Sequence, residues 1–266
     1  MPRFAANLSM MFNEVPFLDR FEAAARAGFT AVEFLFPYEH PAKEVGERLH
    51  KSGLTQALFN LPPGDWAGGE RGFAALPSRF ADMQQSFKTA LPYAHATGVK
   101  RIHLMAGIAE RSDAKAVAAF RKSVTTAAEF FAPHGLDVVI EPINPRNVPG
   151  YFLNNFLFAR DVIRELKIPN LKLQFDIYHC QIIHGDVTMH LRDMLPIIGH
   201  MQIASIPSRN EPDGEELNYP FVFDEIDRLG YTGFVGCEYN PRGKTTDGLG
   251  WFKKYASAAV QKFSSP

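Results

Sequence analysis

The chain has 266 residues, 46% of them hydrophobic and 21% charged, and its 28 basic and 29 acidic side chains leave a net charge of -1. That is ordinary globular composition, enough for one large domain, and the balanced charge speaks against nucleic acid or a membrane surface as partner. Two cysteines, Cys180 and Cys237, make no disulfide framework. The opening "MPRFAANLSMMFNEVP" lacks the apolar core of a leader, and no stretch reaches the ~18 apolar residues of a spanning helix, so the expectation is a cytoplasmic enzyme.

Along the chain, strand-like apolar runs alternate with helical patterns. "RFAANLS" (3–9) is the first strand, and "PFLDRFEAAARAG" after it reads as a helix with Pro16 near its first turn and Gly28 at its stop. "AVEFLFP" (31–37) and "LTQALFNLP" (54–62) are the next two strands. A Gly/Pro-rich connection, 61–77, leads into a helical segment over 77–97, and "RIHLMAG" (101–107) is the fourth strand. The helix that follows opens on Ser112 or Asp113 as a cap and closes at "PHG". Then come the strand "LDVVIEPIN" (136–144), a helix over 154–167, and the strands "LKLQFDIYH" (171–179) and "HMQIAS" (200–205). A second long connection, 205–220, a helix over 217–229, the strand "GFVGCEYN" (233–240) and a helix over 248–263 complete the chain.

Strands that alternate with helices imply parallel pairing, because parallel neighbours need a crossover between them. Eight such units without a composition break predict one (β/α)8 barrel over 1–266. An open doubly wound sheet would want a glycine-rich phosphate loop after an early strand, and "NLSMMFNEVP" is not one. Both long connections follow strands and so belong to the C-terminal face, where such loops serve as lids or binding loops.

The ends of the last four strands carry the chemistry. Glu141 ends the fifth strand, Asp176 the sixth, Gln202 lies on the seventh and Glu238 on the eighth. In a barrel these ends surround the active site, and three carboxylates crowded there repel one another unless a cation neutralises them. An all-oxygen shell of three carboxylates and an amide suits Mg²⁺ or Mn²⁺ better than Zn²⁺.

The sequence also resembles the hydroxypyruvate isomerase family, within the xylose-isomerase-like barrels, through "NLSMMFNEVPFLDRFEAAARAGFTAVEFLFPYE", "HLMAG", "HMQIASIPSRNEP", "ELNYP" and "GCEYNPRG". The resemblance implies a divalent metal on Glu141, Asp176, Gln202 and Glu238, with Glu141 and Glu238 as the proton-transferring pair. Gln202 matches the hydroxypyruvate-isomerase branch, where ketose epimerases carry His. The implied reaction converts hydroxypyruvate to 2-hydroxy-3-oxopropanoate through an enediolate. Alternatives are isomerisation of a four-carbon 2-oxo-tetronate, which motifs separate poorly from the first, and a ketose 3-epimerase-like reaction.

A carboxylate substrate asks for a cationic or hydrogen-bonding group on the same rim. The candidates are His103, His179, Arg209 and Arg242. His179 stands in the D-x-x-H spacing after Asp176 that in sugar-epimerase relatives puts a His on substrate oxygens, and Arg offers a two-pronged fork. Glu211 is placed to hold Arg209. Asn7, Glu33 and Asn60 read as buried hydrogen-bonding residues of the first three strands. Trp251 is expected to pack against the barrel. The helical outer layer offers faces for a homo-oligomer.

Overall fold

The computed structural model describes residues 1–255. Eight parallel strands close into a barrel in sequence order. They are β1 (Arg3–Asn7), β2 (Ala31–Phe34), β3 (Thr55–Asn60), β4 (Arg101–His103), β5 (Asp137–Ile140), β6 (Leu171–Asp176), β7 (Ile198–Ile203) and β8 (Phe234–Cys237). Closure is made by β1 against β8, with Ala5 opposite Gly236 and Ala6 opposite Cys237. Around them run α1 (Arg20–Arg26), α2 (Ala42–Lys51), α3 (Phe80–Thr97), α4 (Ala114–Phe131), α5 (Phe156–Leu166), α6 (Ile177–Ile183), α7 (Val187–Met194) and α8 (Tyr219–Arg228). Residues 250–255 begin a further helix; the rest of the 248–263 segment lies outside the described residues. Among the described residues no helix is long and apolar enough to cross a membrane.

All eight expected strands are present, seven of them shorter than their apolar runs and the seventh in order, β7, of equal length but beginning two residues earlier. Asp113 caps α4 by accepting from the Lys115 amide, and Gly28 sits at φ 97° after α1. The sixth strand ends earlier than expected: Asp176 accepts from the Tyr178 amide at 2.8 Å and so caps α6, which puts His179 on a helix. Helices α2, α6 and α7 were not among the expected segments. In α2 only Val45, Gly46 and Leu49 are buried, a narrow apolar stripe on a charged helix.

Side chains alternate along each strand, and the two faces differ sharply. Outward residues such as Phe4, Val32, Phe59, Ile102, Val138, Ile140, Leu173 and Val235 join one apolar core with the helices. Trp251 packs edge-on to Phe4 at 5.1 Å. Cys180 and Cys237 are buried free thiols. Inside the barrel, Ala5, Ala31 and Ala57 with Phe234 form a separate apolar cluster. Beyond it the interior turns polar. Glu33 accepts from Asn7 Nδ2 at 2.9 Å and Gln202 Nε2 at 2.8 Å, and its Oε2 lies 2.6 Å from His200 Nε2. Gly236 leaves room for this carboxylate, because a Cβ there would collide with it.

Candidate active site

Strand parity carries the polar interior up to the mouth. Val139 and Glu141 share one face of β5, and Gln174 and Asp176 share one face of β6. Glu141, Asp176, His179 and Glu238, all buried, bring ligand-capable atoms within 4.8 Å of one another. Glu141, His179 and Glu238 open into a cavity of about 200 Å³ that Asn60, Arg71, His103, Met105 and Arg209 also line.

Burial, the largest effect, and the neighbouring carboxylates Glu238 and Asp176 push the Glu141 carboxyl well above the ordinary range. Burial also raises Glu238 to about 8 and Asp176 to about 6, against the downward pull of Arg209. Arg209 Nη2 lies 3.0 Å from Glu238 Oε2 and 4.0 Å from Asp176 Oδ2, while its Cζ stands 4.9 Å from the centre of the Tyr178 ring. Glu141 Oε1 and Asp176 Oδ2 are buried without a hydrogen-bond partner. Buried acceptors left in this way fit a cation held between them.

Gln202 joins the group from below. Its Nε2 donates to Glu33, which turns its Oε1 away from that carboxylate; Oε1 accepts from Gln174 Nε2 at 2.6 Å and, as a carbonyl, keeps a second lone pair. The residues therefore fit the hard, oxygen-rich donor set expected for Mg²⁺ or Mn²⁺.

His179 faces the carboxylates through Nε2, 3.6 Å from Asp176 Oδ2 and 4.0 Å from Glu141 Oε1. Its Nδ1 is 3.3 Å from the Asn144 backbone amide and 2.6 Å from Asn144 Nδ2. A backbone N–H can only donate, so Nδ1 accepts and the proton sits on Nε2. Burial holds the ring well below its usual pKa, so it is neutral. Its Nε2–H therefore faces the cavity as a donor, and in this tautomer Nε2 is no metal ligand. His103 is likewise neutral, pushed down to about 3 by burial and then by His200; its Nδ1 lies 3.8 Å from Glu141 Oε2.

Two expectations are corrected. Arg242 does not line the cavity. It is paired with Glu211, Nε to Oε2 at 2.9 Å, and with Asp213, and its side chain is 53% exposed, so it fixes loops. Glu211 is therefore the partner of Arg242, whose backbone amide it also accepts at 3.1 Å, and not of Arg209. Asn144, Gln174 and Arg71 were not singled out in the sequence. Asn144 lies in the same strand-end stretch as Glu141, but nothing in a sequence marks which Asn will meet a His from the helix after the next strand.

Barrel closure, the polar interior and the carboxylates at the ends of the last strands define a class. The chain belongs to the xylose isomerase-like TIM barrel family, whose profile matches residues 21–255. Within that class it falls with the hydroxypyruvate and 2-oxo-tetronate isomerases. It is 56% identical to a 2-oxo-tetronate isomerase of Cupriavidus necator, over 96% of this chain and 99% of the relative. Identity to the hydroxypyruvate isomerase of Escherichia coli K12 is 41%, over 96% of this chain and 100% of the relative. A crystal structure from Brucella melitensis, described as an AP endonuclease of family 2, matches with a TM-score of 0.94 at 51% identity, covering 96% of this chain and 99% of that one. The protein is accordingly an isomerase of the aldose–ketose type.

Proposed function

We propose that the protein interconverts a 2-oxo-tetronate, a four-carbon sugar acid, with its 3-oxo isomer, assisted by a divalent metal. The observation that carries the reading is the buried group Glu141, Asp176, His179 and Glu238, with its orphaned carboxylate oxygens. The choice of four carbons over the three of hydroxypyruvate, the first expectation from sequence, is supported by 56% identity to the tetronate enzyme against 41% to the hydroxypyruvate enzyme.

In such a substrate the proton leaves C3, which bears a hydroxyl, and returns at C2, the neighbouring carbonyl carbon, through an enediolate. Glu141 and Glu238 lie in one cluster and have raised proton affinities, which suits one to take the proton while the other holds one to give. The His179 Nε2–H donates to a substrate oxygen. Glu141, Asp176, Gln202 and Glu238 would hold the metal, which when bound supplies Lewis-acid polarisation of the substrate oxygens. Asp176, raised to about 6 against about 8 for Glu238, gives up its proton the more readily of the two, and this suits it to ligation. The small carboxylate is the partner; the fold's endonuclease-like relative does not move the reading towards nucleic acid, because the net charge is -1.

The test is turnover of 2-oxo-tetronate and hydroxypyruvate by metal-stripped protein with Mg²⁺ or Mn²⁺ added back, followed by NMR in D₂O. Metal-dependent conversion, faster for the four-carbon acid and with deuterium entering C2 of the product, is the expected result. Conversion of neither acid removes the proposal; full conversion without metal removes its metal clause.

A further inference from the structure

We infer that Arg71, in the loop after β3, is the residue that pairs with the substrate's carboxylate; the inference rests on the acid-isomerase reading above. The Arg71 side chain lines the same cavity as Glu141, His179 and Glu238. Among the described residues no carboxylate pairs with it. The acids of its own loop are engaged elsewhere: Glu70 with Arg79 and the Asp65 amide, and Asp65 with the Gly68 amide. The other arginines near the mouth have partners, Arg209 with Glu238 and Arg242 with Glu211 and Asp213. A cavity that must admit an anion beside three acids therefore has one cation whose charge is not already matched.

The guanidinium is also held in place before any ligand arrives. Its Cζ lies 3.8 Å from the centre of the Trp66 ring, and Trp66 in turn meets Phe36 edge-on at 5.1 Å. Nη1 donates to the Trp66 and Glu70 carbonyls at 2.9 and 2.7 Å. Nε and Nη2 meet no acceptor among the described residues, and together they present the fork that binds a carboxylate with two parallel hydrogen bonds. The backbone is equally fixed. The Arg71 carbonyl accepts from the Gly107 amide at 3.0 Å, and the Ala74 and Ala75 amides donate to Met105 and Ala106 at 3.3 and 2.7 Å. Gly72, at φ 97°, presses against Met105, where a Cβ would strike the carbonyl oxygen. The loop is thus pinned to the end of β4, and the arginine is offered to the cavity by a rigid support.

The experiment compares Mg²⁺-loaded wild type, Arg71→Gln and Arg71→Lys by calorimetric titration with two probes. Erythronate is a four-carbon acid, and erythrulose is a four-carbon ketose without the carboxylate. Loss of a charge-assisted hydrogen-bonded pair predicts roughly ten- to hundredfold weaker erythronate binding in Arg71→Gln, with erythrulose binding changed less than about twofold. Arg71→Lys, which keeps the charge without the fork, falls between, and scores the idea alone if Arg71→Gln does not fold. Equal losses for both probes, erythronate affinity within about threefold of wild type in both variants, or wild type that prefers the acid by no measurable margin each overturn it. Failure of the isomerase reading shows separately, as absence of turnover of either oxo acid by the same wild-type preparation.

Discussion

The two halves of the barrel mouth are chemically unlike. Strands β5 to β8 deliver Glu141, Asp176, Gln202 and Glu238, three of them carboxylates with raised proton affinity. Strands β2 to β4 and their loops deliver Asn60, a neutral His103, Trp66 and Arg71 to the cavity that Glu141 and Glu238 line. On the proposed reading, proton transfer and ligation fall on one side, with the Arg71 that would take the substrate's carboxylate on the other. The difference teaches that one fold can separate the two tasks because each strand end is an independent position: its side chain changes without disturbing the outward apolar face that holds the barrel to its helices.

The sharpest way to break this division is to neutralise the acidic half. Glu141→Gln and Glu238→Gln should each lower kcat by about 10²–10⁴-fold or more, with little change in circular dichroism, since general acid–base steps are worth about that much. Near-full turnover in either variant would remove that residue from proton transfer.

Removing the metal comes next. In metal-free protein the carboxyl groups with raised proton affinity hold protons that the unfolded chain has released. Stability therefore falls as pH rises from the ordinary carboxylate range through the Glu238 value of about 8. A divalent ion binds the deprotonated site, so the Tm gain on adding Mn²⁺ should be larger near about pH 8.5 than near about pH 5.5; binding at a hundred times Kd corresponds to about 2.7 kcal/mol. Equal gains at both pH values would separate metal binding from these acids.

A smaller effect is expected at the seam between the halves. Asn144→Ala removes the Nδ2 hydrogen bond that steadies the His179 ring while the backbone amide still holds its tautomer, and loss of one oriented hydrogen bond of about 0.5–1.5 kcal/mol predicts a fall in kcat of up to about tenfold, with an unchanged fold. The smallest effect on activity belongs to Arg242→Ala. Its kcat and KM should match wild type, while loss of the partner of buried Glu211 lowers stability by about 1–3 kcal/mol in urea unfolding. A raised KM for the acid would return Arg242 to the substrate.

Much of this was legible in the sequence. The eight strands stand out because buried parallel strands are near-continuous apolar runs, and a carboxylate that ends such a run has few structural reasons to be there. Helices α6 and α7 were hidden for the same reason: "FDIYHCQII" continues the apolar run of β6 into a helix, and periodicity does not show where the chain turns. Arg209 is legible by its place after β7, yet its contact with Glu238 depends on a loop conformation, φ 55° at Arg209 itself, that spacing does not encode. Arg71 sits in "GGERGF", where an arginine looks like any solvated loop charge until the engagement of Glu70 and Asp65 is seen. Assignment of Glu211 to Arg209 went wrong because nearness in sequence favoured a residue two positions away over Arg242 on the next loop.

The alanine cluster beneath Glu33, with Phe234 beside it, closes the bottom of the barrel. Access to the site is consequently from the mouth, on the side away from this cluster. Both isomers of the proposed reaction would occupy this one cavity, so the two directions should show mutual competitive inhibition.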